Sequence, residues 1–140
     1  MNTYQHKVFL AFFRVEKANA KLTDGLNAQN ATDFEAARVL LAAETDKALA
    51  ELNAVPAFRG KDTQYRDATR DYAKFYLIWS ANQFKKMTEL IENKDKLTKV
   101  DVDTFNGYIK TYNTQNGKLL DAYNRAANNF QAAYIPVFND

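Results

Sequence analysis

Nucleophilic and acid–base chemistry have few places to begin in this chain. It holds one histidine, His6, one serine, Ser80, and no cysteine. A Ser-His-acid triad needs a histidine oriented onto the nucleophile, and Ser80 falls inside a helical pattern with no histidine near it. Without cysteine there are no disulfides, thiolate metal sites, covalently attached haem or cysteine nucleophile. Di-iron bundles take a Glu-x-x-His motif from each of two helices, which one histidine cannot supply. Asp101-Val102-Asp103 has the spacing that opens a calcium loop, but the glycine and closing glutamate of that loop are missing. Acids there suit the first turn of a helix. The four glycines stand apart at 25, 60, 107 and 117, so no phosphate-cradling loop is written. Paired-carboxylate hydrolysis needs two acids converging in a cleft, and none falls on an apolar stripe. These residues predict no catalytic group, no metal and no cofactor.

Tyrosine is the unusual component. There are eight, with one tryptophan. Tyr65, Tyr72, Tyr76, Trp79, Tyr112 and Tyr123 all fall on or beside apolar stripes. A buried tyrosine hydroxyl without a partner forfeits about 1–3 kcal/mol. Asn19, Gln83 and Asn116 share those stripes and are the expected partners. One reading is a wide aromatic core. The other is an interhelical pocket lined by Tyr72, Tyr76, Trp79 and Tyr112 that takes a small apolar or aromatic ligand. A second candidate lies near the start of the chain. Phe9, Leu10 and Phe13 sit off the stripe of Val8, Phe12 and Val15, so two turns are apolar nearly all round. They are expected either under the tail residues Val137 and Phe138 or in an exposed patch that meets a partner.

The elements that carry these residues follow from spacing. Glycine (4) and proline (2) are scarce while Ala, Lys and Leu are abundant, which favours helix. Breakers at Gly25 to Asn30, Pro56 to Gly60 and Asn93 to Thr98 cut the chain into four segments. The first, about 4–26, places Val8, Phe12, Val15, Asn19, Leu22 and Leu26 on one helical face, with Thr3 as its expected N-cap. The second, about 33–54, opens on a Thr32-to-Glu35 capping box and closes at Pro56. The third, about 63–93, runs Tyr65, Thr69, Tyr72, Tyr76, Trp79, Gln83, Met87 and Leu90. The fourth, about 99–134, holds its rhythm from Val102 to Ala133 across Gly107 and Gly117. Four amphipathic helices on short loops predict an all-α, antiparallel up-down-up-down four-helix bundle, a single domain over 1–140. The last two helices exceed the first two, so either one end of the third and fourth protrudes or the first helix extends past Gly25.

Length and charge bound the rest. A chain of 140 residues with 46% hydrophobic and 26% charged residues fits one folded domain, not a disordered chain. Net charge is +2; residues 61–100 carry 9 basic against 6 acidic residues, interleaved as in Arg66-Asp67. That is solvated helix surface rather than a phosphate-binding face, so nucleic acid is not expected. The longest apolar run, Val8 to Phe13, is far short of the roughly 20 residues that span a bilayer, so no transmembrane segment is expected.

The order of motifs carries a resemblance. Ala48-Leu49-Ala50-Glu51-Leu52 leads to Pro56-Ala57-Phe58-Arg59-Gly60, then Tyr65-Arg66-Asp67-Ala68 and Phe75-Tyr76. The fourth segment ends in Leu120-Asp121-Ala122-Tyr123 and Asn129-Phe130-Gln131-Ala132-Ala133-Tyr134. Over about 30–135 this resembles a family of small bacterial surface or envelope helical proteins of unknown function, known from Leptospira and Bacteroidetes-type bacteria. The resemblance implies a four-helix fold and an exported protein, often lipid-anchored, and transfers no catalytic residue. Against the resemblance, Met1-Asn2-Thr3-Tyr4 does not read as a basic leader and there is no lipid-accepting cysteine, which is expected if an export signal has been removed. The expectation is a non-enzymatic bacterial protein, extracytoplasmic if an export signal has been removed and otherwise cytoplasmic. It acts as a protein-interaction module, or alternatively as a carrier of a small apolar ligand, and is a monomer or weak homodimer.

Overall fold

A computed structural model describes residues 2–135 of the chain, and these are all-helical, with no strand among them. Val137 and Phe138, the tail residues offered as one alternative cover for Phe9, Leu10 and Phe13, lie outside the described residues. Helix α1 spans Thr3–Asn27, α2 Ala31–Asn53, α3 Gln64–Ala81, α4 Gln83–Glu92 and α5 Lys99–Tyr134, with a 3-10 turn at Lys94–Lys96 before α5. No described helix is long and apolar enough to cross a membrane.

Two helix starts differ from the sequence expectation. Asn2, not Thr3, caps α1, its side chain accepting from Gln5 N at 2.8 Å. Asn30, not Thr32, caps α2 by accepting from Asp33 N. Both have the short side-chain oxygen that an N-cap needs. This frees Glu35 for a different task described below. The reciprocal capping box stands instead at α5, where Thr98 and Asp101 bond each other's backbone N–H.

Gly25 is not a breaker. It is buried inside α1, and a Cβ on it would sit 2.9 Å from both Cα and N of Phe34. Its missing side chain lets the end of α1 touch the backbone at the start of α2. Gly107 and Gly117 have nothing within 4 Å of such a Cβ; they lie on open surface.

The expected continuous helix over 63–93 is divided at Asn82, whose backbone leaves helical geometry (φ −122°, ψ −83°). Along α3 the buried residues are Tyr65, Thr69, Tyr72, Ala73, Phe75, Tyr76, Trp79 and Ser80, and α4 buries Phe84, Met87, Thr88 and Ile91. Met87 is inward as the stripe predicts, whereas Phe84 and Ile91 take the core in place of Gln83 and Leu90; a phenyl ring suits that interior better than an amide. Gln83 stays half-buried with Oε1 unpartnered. Arg38 of α2 bridges the interruption by donating to Ser80 O at 2.9 Å. The same guanidinium pairs with Glu35, which accepts from Thr88 Oγ1 at 2.9 Å. One ion pair thus ties α2 to both α3 and α4.

Packing is densest between α1 and α2, then between α2 and α3. At one end, rings from distant parts of the chain meet. Tyr4, Phe58, Tyr65 and Phe130 lie within 5.0–6.5 Å of one another along successive contacts. Phe58 reaches them from a tight turn in which Arg59 and Gly60 both have positive φ. Helix α5 fully buries only Tyr123, Ala126 and Phe130; its first half packs on the core through the half-buried Phe105, Tyr108, Ile109 and Tyr112.

Candidate functional site

The interior offers the first candidate. The structure brings Tyr72, Tyr76, Trp79 and Tyr112 together, and they fill the space they share. Tyr72 and Tyr76 rings stand 5.0 Å apart, and Trp79 and Tyr112 rings 5.9 Å apart. Tyr76 is fully buried and is the hub of a hydroxyl network. It donates to Asn116 Oδ1 at 2.6 Å and accepts from Asn19 Nδ2 at 3.1 Å. A hydroxyl has one proton; with that proton on Asn116, Tyr112 must donate the 2.9 Å bond between the two tyrosines. Asn19 and Asn116 are therefore the partners the sequence predicts, while Gln83 is not. Beside this cluster lies a void of about 20 Å³ lined by Leu22, Phe34, Phe84, Met87 and Tyr112.

Tyr65 and Tyr123 form a second hydroxyl pair at 2.9 Å. Burial, and then Tyr112, pushes the Tyr76 hydroxyl far above the ordinary tyrosine range; burial and Tyr65 do the same to Tyr123. Both remain neutral hydrogen-bonding groups. Glu16 adds its field to both tyrosines, and burial raises its own carboxyl above the usual carboxylate range. The sequence reading missed this acid because it lies between two stripe positions, Val15 and Asn19, rather than on one. No group of three or more His, Asp or Glu side chains converges among the described residues.

The second candidate is on the surface. Leu10 and Phe13 are 44% and 52% exposed and line an open groove of about 750 Å³ between α1 and α2. Phe9, 38% exposed, does not line it but stacks on Phe13 with ring centroids 6.1 Å apart. Ala18, Leu40 and Ala54 add apolar wall, and Lys7, Arg14, Lys17 and Lys21 stand along the α1 side. The acids of the groove are Glu44 and Glu51, and Arg14 bonds both, at 2.8 and 2.7 Å. The Arg14 hydrogen bond holds the Glu44 carboxyl below its ordinary range. Sequence spacing identified the three apolar residues; the groove needed α2 opposite them.

Comparison with protein-family models, with curated proteins and with solved structures finds no match to this chain.

Proposed function

We propose that the chain is a non-enzymatic protein-interaction module that binds through the α1–α2 groove. The observation carrying this reading is a concave surface of about 750 Å³ with Leu10 and Phe13 left in solvent, where exposed apolar area costs solubility unless a partner uses it. A carrier of small apolar ligands is the weaker reading. Such sites enclose about 300–1,000 Å³, against about 20 Å³ beside Tyr112.

The same proposal takes the helices as one antiparallel up-down-up-down bundle whose third rod is α3 plus α4. Arg14 of α1 meets Glu44 and Glu51 of α2, Arg38 of α2 meets Ser80, Tyr4 meets Arg66, and Asn19 meets Tyr112. In keeping with the resemblance above, its place is outside the cytoplasm of a bacterial cell.

A photo-crosslinking side chain at Leu10 or Phe13, compared with one at the exposed Ile78, tests the reading in the native host. A discrete adduct from positions 10 and 13 but not from 78 supports it. Equal adducts from all three, or none, overturn it.

A further inference from the structure

We infer that the occupant of the α1–α2 groove is an amphipathic helix of a partner protein carrying carboxylates beside its apolar face. This rests on the reading of the groove as an interaction site and adds the chemistry of what enters it. Charge is the basis. Glu44 and Glu51 are already bonded by Arg14, whereas Lys7, Lys17 and Lys21 make no ion pair among the described residues. All three are exposed, and all three line the groove. The groove is therefore apolar within and positive along one edge. Opposite charge along that edge steers and orients a ligand.

Spacing selects a helix over a single-headed amphiphile. Lys7 to Lys21 is fourteen residues of α1, about 21 Å at 1.5 Å per residue. One headgroup neutralises one end of such an edge, whereas a helix of four turns presents an acid at each. Leu10 and Phe13, between Lys7 and Lys17, supply the contact for apolar anchors at i, i+3, i+4 and i+7. Concavity also separates this surface from one that lies on a lipid bilayer, where an apolar face must project.

Two synthetic 18-residue helical peptides with the same Leu and Phe face, one flanked by Glu and one by Lys, are titrated against the full chain by fluorescence anisotropy. The Glu peptide should bind at least tenfold more tightly, and weaken at least threefold between 50 and 300 mM salt. K17E/K21E should lose that preference while retaining the wild-type helical circular dichroism, and F13S should lose both peptides. Equal binding of the two peptides, or no salt dependence, overturns the charge assignment and leaves the groove as an interaction site. Tighter binding to vesicles of equal phosphatidylglycerol and phosphatidylcholine than to the Glu peptide, lost in K17E/K21E, also overturns it in favour of a membrane. Absence of both peptides together with absence of crosslinks at 10 and 13 defeats the interaction reading itself.

Discussion

Tyr76 joins more of the interior than any other polar side chain among the described residues. Its hydroxyl satisfies Asn19 on α1 and Tyr112 and Asn116 on α5. Tyr76→Phe keeps the ring and strands these partners, so urea denaturation should show a loss of about 1–3 kcal/mol with an unchanged slope. An unchanged midpoint would mean that the network contributes nothing. Glu16 makes a prediction of opposite sign to Glu35 and Glu44. The Arg38 and Arg14 hydrogen bonds hold those two below the ordinary value of 4.5. Their contribution to stability is present above pH 4.5 and is lost as pH falls through their folded values. The Glu16 carboxyl is raised above 4.5 by burial, so its neutral form is favoured in the fold. Its contribution is full below pH 4.5 and is lost as pH rises through the folded value. Glu16→Gln should therefore raise the melting temperature at pH 7, with the gain shrinking toward pH 4. A gain independent of pH would contradict this.

At the scale of elements, the same substitution at two glycines should have opposite effects. Gly117→Ala meets open space and should stabilise α5 by up to about 1 kcal/mol through helix propensity. Gly25→Ala drives a Cβ against the Phe34 backbone and should cost about 1–3 kcal/mol as α1 and α2 are forced apart. Equal effects, read from denaturation midpoints, would remove the close approach. Arg38→Ala should cost a further 1–3 kcal/mol, roughly, by stranding Ser80 O at the helix break. These examples show what the sequence could and could not carry. The helical segments were legible because apolar residues recur at three and four, a signal each segment holds by itself. Two features were not legible: Gly25 reads as a loop until Phe34 is beside it, and the apolar spacing runs through Asn82 without marking the break there. Caps slipped for a local reason. Asn2 and Asn30 compete with the Thr residues next to them, and spacing does not rank them.

For the molecule as a whole, the proposed function leaves a closed interior to hold the fold and an open groove to bind. The tyrosines were legible as a group from their stripes, and so were Leu10 and Phe13 as misfits on α1. The charge of the groove was hidden because its lysines and acids come from different helices, and only Arg14's two ion pairs, to Glu44 and Glu51, show which positive charges are left over. A panel of small apolar ligands should leave both Trp79 fluorescence and the melting temperature unchanged, since Trp79 is buried among packed rings; a stabilising ligand that quenches Trp79 would restore the carrier. The division is tested most directly by nitrogen-15 NMR of the full chain titrated with the Glu-flanked peptide. Amide shifts gathered on residues 7–21 of α1 and on residues 40–54, in α2 and its C-cap, are the predicted result, and shifts centred on Tyr72, Tyr76, Trp79 and Tyr112 would contradict it.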